Sequence, residues 1–206
     1  MELIKKIEQA IQNGLPGDSA HQKMAPYRRT SATLALQSQL NPRLSGVLCL
    51  LFPDKENQWN SVLIKRQEYS GTHSAQVSFP GGKKEESDAD LLVTSLRECA
   101  EEIGIHLDKQ QVIGSLSEVY IPPSNFLVKP HIAWLDRRPD FVPDPREVNY
   151  LIEFPILRLL EADVVMETKV KTGQGLQMQV PYFAIGNEIV WGATAAILSE
   201  IREIIK

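Results

Sequence analysis

Three glutamates within one helical turn, shortly downstream of a Pro-Gly-Gly corner, constrain this 206-residue chain more than any other feature. The run is Arg97-Glu98-Cys99-Ala100-Glu101-Glu102-Ile103-Gly104, and it places Glu98, Glu101 and Glu102 at i, i+3 and i+4. A helix is predicted over 90–104, because Leu92, Leu96, Cys99 and Ile103 recur on one face and Gly104 can supply a left-handed stop. On that helix the three carboxylates project from one side, within about 6 Å of one another. As a solvated acidic face they would only repel. A divalent cation reverses that sign, since Mg²⁺ and Mn²⁺ take hard oxygen ligands and bridge to substrate phosphate. Arg97, four residues before Glu101, can pair with a carboxylate and orient it. Upstream, Gly81-Gly82 allows positive φ and close backbone approach, so a carbonyl can face a metal or an amide a phosphate.

The remaining pattern predicts α+β architecture. A helix is expected over 1–13, stopped by Gly14, Pro16 and Gly17, followed by an extended arm or loop over Asp18–Pro42 with a positive spot at Arg28 and Arg29. Short apolar runs at 46–52 and 61–66 suggest a hairpin, and Pro80-Gly81-Gly82 a sharp turn before a charged loop at 83–88. Strands are predicted at 112–119, 127–135 and 148–154, then a short helix at 156–162 opened by Pro155. A hairpin around Gly173 and Gly175 and a closing helix at 193–205 complete the pattern. No repeat or linker divides the chain, so residues 1–206 are expected to form one domain. A formal net charge of −4 disfavours a nucleic-acid polymer as partner. No apolar run is long enough for a membrane span. The first residues read as an amphipathic helix rather than a signal peptide, which makes a cytosolic protein the expectation. Cys49 and Cys99 sit in apolar stretches and are expected to be reduced core residues.

Residues 81–105 resemble the Nudix box, Gly-x5-Glu-x7-Arg-Glu-U-x-Glu-Glu-x-Gly-U with U bulky and aliphatic. Gly82, Arg97, Glu98, Cys99, Glu101, Glu102, Gly104 and Ile105 match in type. The chain departs in the loop: six residues after Gly82 stands Asp88 instead of Glu, and eight residues rather than seven precede Arg97. A second stretch, Arg66 through Phe79-Pro80-Gly81-Gly82, is similar to the signature that precedes the box in the coenzyme A pyrophosphatase-like branch. There the family's second Arg and its Gly are replaced by Gly71 and Ala75. Gly14-Leu15-Pro16-Gly17, Tyr120-Ile121-Pro122-Pro123-Ser124 and Trp191-Gly192-Ala193-Thr194 also look like this branch.

The resemblance implies a Nudix-like α/β/α sandwich with a mixed sheet and a loop-helix-loop site. It implies Mg²⁺- or Mn²⁺-dependent hydrolysis of a diphosphate linkage in a nucleoside diphosphate derivative, with CoA or acyl-CoA as the expected small-molecule partner. Glu98, Glu101 and Glu102 are the expected metal ligands, Glu98 and Glu101 also catalytic, with Arg97 orienting them. The general base stays open between a box glutamate and the distal Glu147, itself readable as a plain loop acid. Substrate contacts are expected at Arg66, His73, Gly81 and Gly82. His131 is expected in the core or on a sheet face, and His21 and His106 at the surface. Hydrolysis of ADP-ribose or NADH, and a nucleotide sensor without turnover, stay open beside CoA cleavage, as does a homodimer.

Overall fold

The computed structural model describes residues 1–26, 31–37, 40–67, 76–171 and 177–206. Arg28, Arg29, Gly71, His73, Ala75, Gly173 and Gly175 lie outside them.

The sheet is built around β1 (Arg43–Pro53), whose residues Leu48 through Phe52 are all buried. A strand apolar on both sides needs cover on both faces. β1 forms the expected hairpin with β2 (Trp59–Arg66) and runs antiparallel to β4 (Gly81–Lys83). On its other side it pairs in parallel with β7 (Phe126–Trp134). β2 also carries β3 (Val77–Ser78) and β8 (Val148–Pro155), while β7 carries β5 (Val112–Ser115) and β6 (Val119–Ile121). One parallel pair among antiparallel ones makes the sheet mixed, as expected for the class.

Helix α4 (Leu91–Ile103) covers one face. Its Cys99 and Ile103 pack with Leu48, Leu50, Phe52, Val62 and Ile64. α1 (Glu2–Asn13) and α5 (Gly192–Ile205) cover the other, where Ile4, Ile7, Ala195 and Ile201 join Cys49, Leu51 and Leu63. Alternate residues of β1 and β2 thus serve two separate cores, and the result is an α/β/α sandwich. A three-stranded antiparallel sheet, β9 (Val165–Lys171), β10 (Gln177–Ile185) and β11 (Glu188–Val190), adds Phe183, Ile185 and Val190 to the α5-side core.

The structure corrects several local expectations. The described residues between Asp18 and Gln37 are not all extended arm or loop: they include α2 (Asp18–His21), a 3-10 turn and α3 (Ala32–Gln37), anchored by buried Ala20, Met24 and Ala35. Gly81-Gly82 belongs to strand β4 rather than a turn, because its backbone bonds to β1. The run at 112–119 divides into two strands, and the helix predicted after Pro155 is a 3-10 turn, Ile156–Leu160. β11 was not visible as a strand, being three residues long. Both cysteines are free and buried, and burial pushes the Cys99 thiol up to about 12.

Candidate active site

α4 begins where Asp90 caps it by accepting from the Val93 amide, and ends at Gly104 with φ 73°. Its 100° turn per residue decides the fate of the three glutamates. Glu98 and Glu102, one turn apart, point toward β4 and the end of β2. Glu101 lies at the solvent-exposed rim, its side chain 54% exposed. It still shares Arg97 Nη1 with Glu98, and among the described residues no group of three or more His, Cys, Asp or Glu is gathered closely enough to hold an ion.

Glu98 lies directly over the β4 backbone. A Cβ on Gly82 would sit 2.4 Å from its carboxyl carbon and both oxygens, so only glycine permits this approach. Gly81, at φ 154°, is likewise closed to side chains by the Gly46 carbonyl oxygen at 2.4 Å. Burial raises the pKa of Glu98 against the pull of Arg97.

Glu102 is enclosed, with no exposed side-chain surface. Its Oε2 accepts from the Gly81 amide at 2.8 Å. Its Oε1 lies 2.8 Å from Arg66 Nη2, yet without hydrogen-bond geometry, so this buried oxygen is balanced by charge alone. The same Nη2 donates to the Gly81 carbonyl at 2.5 Å. Burial pushes Glu102 up to about 7; Arg66 and the Gly81 amide oppose this, while the charges of Glu98 and Glu147 add to it.

Arg97 is fixed from both sides. It donates to Asp88 through Nε and Nη2 at 3.1 and 3.0 Å, to Glu98 and Glu101 through Nη1 at 2.9 Å each, and to the Lys83 carbonyl at 3.2 Å. Asp88 thus occupies the position of the box's loop acid, despite the extra residue and the shorter side chain. The loop coils tightly enough to deliver it: Lys84 Nζ bonds the Asp88 carbonyl, and the Glu85 amide and Thr94 hydroxyl donate to its carboxylate. The Arg97 hydrogen bonds hold Asp88 well below the usual carboxylate range, although its side chain is only 2% exposed.

Glu147 is exposed in the turn before β8, where its carbonyl accepts from the Gln67 amide at 2.9 Å. The structure brings Arg66, Gly81, Gly82, Arg97, Glu98 and Glu102 into one site with Glu147 at its edge and Glu101 on the exposed rim, held by Arg97. The donor set fits a hard divalent cation. It is all oxygen, it includes a buried carboxylate oxygen lacking a hydrogen bond, and Glu98 is pressed onto glycine backbone.

His131 lies buried on β7 as expected, its Nδ1 2.9 Å from Ser95 Oγ on α4. Burial and the nearby Lys129 push it down to about 4. His106 is exposed. His21, expected at the surface, is buried beside Glu200 of α5, itself without exposure. That pair was not found from sequence because Glu200 reads as an ordinary helix glutamate, its partners lying 179 and 183 residues away.

The model of the NUDIX domain matches residues 42–165. The chain is 34% identical over 173 residues to the mitochondrial coenzyme A diphosphatase NUDT8 of Homo sapiens, covering 82% of this chain and 72% of that protein. It is 32% identical to Nudix hydrolase 15, mitochondrial, of Arabidopsis thaliana, covering 78% of this chain but only 58% of that protein's length. Among solved structures, a MutT/nudix family protein from Enterococcus faecalis superposes with a TM-score of 0.56 at 16% identity over 84% of this chain and 67% of its own. A MutT protein from Methanosarcina mazei gives 0.51 at 16% identity, over 78% and 92%. No helix among the described residues is long and apolar enough to cross a membrane. The mixed sandwich, the glutamate helix laid on Gly81-Gly82 and the extent of these matches place this chain in the Nudix hydrolase family.

Proposed function

We propose that this chain cleaves the diphosphate of CoA or acyl-CoA to 3′,5′-ADP and (acyl-)4′-phosphopantetheine, using Mg²⁺ or Mn²⁺. The observation that carries the chemistry is the pair Glu98 and Glu102, two carboxylates raised by burial and held against glycine backbone beside an arginine. The named activity of the human relative supports the choice of CoA.

Glu98 and Glu102 would hold the cation, with the Gly81 or Gly82 carbonyl beside them and Glu101 at the rim. When bound, the ion neutralises phosphate charge and lowers the pKa of a coordinated water. Arg97 fixes Glu98 through the Asp88 anchor, so this carboxylate does not have to reorganise when charge develops. Glu147 takes the proton of the attacking water on its carboxylate. Water adds to one phosphorus, and the bridging oxygen departs with the other phosphoryl half. Arg66 grips phosphate oxygens, for which the guanidinium fork is suited. His73 lies in the part of the preceding signature outside the described residues and is kept as a substrate contact on the sequence alone.

The test is a product assay with CoA, ADP-ribose and NADH, each with Mg²⁺ or Mn²⁺. The expected result is 3′,5′-ADP from CoA, with turnover reduced on the order of 10³-fold in Glu98→Gln. Rapid cleavage of ADP-ribose or NADH and none of CoA would remove the CoA assignment. Tight nucleotide binding without turnover would make the chain a sensor. Near-normal kcat in Glu98→Gln would remove the metal assignment.

A further inference from the structure

We propose that Arg66 is a resident counter-cation for Glu102 and Gly81, displaced by the divalent metal and thereby freed to bind the substrate's phosphates. The inference rests on the reading of Glu98 and Glu102 as metal ligands. It goes beyond that reading by making metal and phosphate binding one linked event.

One atom, Arg66 Nη2, serves both the Glu102 Oε1 charge at 2.8 Å and the Gly81 carbonyl at 2.5 Å. These are two of the hard oxygens a cation at this site would use, so metal and guanidinium compete for them. The attachments of the two site arginines differ in kind. Arg97 makes hydrogen bonds to Asp88, Glu98, Glu101 and a carbonyl, and it cannot leave without breaking all of them. Arg66 meets Glu102 Oε1 by charge, without hydrogen-bond geometry.

A buried carboxylate stripped of its partner is strongly disfavoured, so while Glu102 is ionised a cation has to face it. A metal that arrives there replaces the guanidinium without leaving that charge exposed to the apolar interior. Arg66 stands at the last position of β2, its side chain 22% exposed, so it can swing outward without opening the core. A released guanidinium beside the glycine backbone is placed to grip phosphate bidentately. The linkage is reciprocal: metal frees Arg66 for phosphate, and phosphate draws Arg66 off the metal's oxygens.

The experiment measures Mn²⁺ binding to the metal-stripped full-length chain, by electron paramagnetic resonance of free Mn²⁺ and by calorimetry, with circular dichroism confirming the fold of each variant. Arg66→Gln should bind Mn²⁺ about tenfold more tightly than the unsubstituted protein, a coupling of ordinary size. Arg66→Lys keeps the resident charge and should stay close to the unsubstituted value. ADP should tighten Mn²⁺ binding in the unsubstituted protein, and by a smaller factor in Arg66→Gln. Unchanged or weaker Mn²⁺ affinity in folded Arg66→Gln overturns the proposal, because a merely supporting arginine gives that result. Glu102→Gln separates the two readings: it should weaken Mn²⁺ in either background. If it does not, or if the unsubstituted chain binds no Mn²⁺, the metal assignment falls and this proposal with it.

Discussion

Glu102 of α4 and Glu200 of α5 lie on opposite faces of the same sheet, both on helices and both without exposed side-chain surface. Their surroundings differ. Glu200 accepts from the Gly17 amide at 2.8 Å, the Ser117 amide at 3.1 Å and pairs with His21 Nε2 at 3.3 Å. Burial alone would raise its pKa, but these partners outweigh burial and lower it. Glu102 has one amide and a charge without hydrogen-bond geometry, and burial wins. A buried carboxylate whose oxygens are all bonded fastens parts of the chain together. One that is left short is a place for a cation to come.

The largest expected effect follows from removing each carboxylate. Glu200→Ala strands the half-buried Gly17 and Ser117 amides and the buried His21, and loosens the 14–24 segment and the strand connection at Ser117 from α5. It should cost about 3–5 kcal/mol in urea unfolding. Glu102→Ala, in metal-free protein, removes a poorly solvated charge and leaves Arg66 able to reach water. It also leaves the single Gly81 amide without its acceptor, so its cost should be smaller, about 1–2 kcal/mol. Equal losses in the two variants would break the comparison.

Much of this was legible in the sequence, for a physical reason. Helical periodicity and the adjacent glycines are local signals, so α4, its glycine stop and the Gly81-Gly82 approach could be read directly. The β1-β2 hairpin followed from two short apolar runs close together. What the sequence hid is set by long-range pairing. Glycines that read as a turn became strand β4 because β1 offered its edge. Glu101 and Glu102 are neighbours with the same chemistry, and only the packing of α4 against β2 and β4 decides that one enters and the other faces out. The Glu200 cluster joins residues almost a full chain length apart, and the two members of an i, i+4 pair carry no mark of which arginine each will meet.

A smaller effect sharpens the comparison through pH. Glu102 titrates at about 7 in the folded chain against an ordinary 4.5. Between these values the folded state binds more protons than the unfolded, so stability falls as pH rises, by up to about 3 kcal/mol in total. Glu200, lowered in the fold, has the other sign: its stabilisation is present above the ordinary carboxylate range and is lost on acidification. His131, lowered to about 4, makes stability rise with pH over part of the same window. The readout is therefore the difference in unfolding free energy between the unsubstituted chain and Glu102→Gln, measured from pH 4.5 to 7.5. That difference should shrink as pH rises, and saturating Mn²⁺ should remove the fall. A flat difference would place Glu102 among the satisfied carboxylates.

The smallest expected effect concerns Asp88, where the chain departs from the family's box. Asp88 touches neither the expected metal oxygens nor the Gly81-Gly82 backbone; it acts on Glu98 only through Arg97. Asp88→Asn keeps the shape but replaces a carboxylate that accepts from Arg97, the Glu85 amide and Thr94. Arg97 should then lose its fixed direction and Glu98 its orientation. We expect kcat to fall about tenfold, the lower range for outer partners of a metal site, with KM close to unchanged. Asp88→Glu should not restore the usual box. The loop has already spent its extra residue in bringing a short side chain to Arg97, and a side chain only 2% exposed has no room for another methylene. If Asp88→Glu matched or exceeded the unsubstituted kcat, the longer loop would be slack, and the compensation inferred from its hydrogen bonds would be wrong.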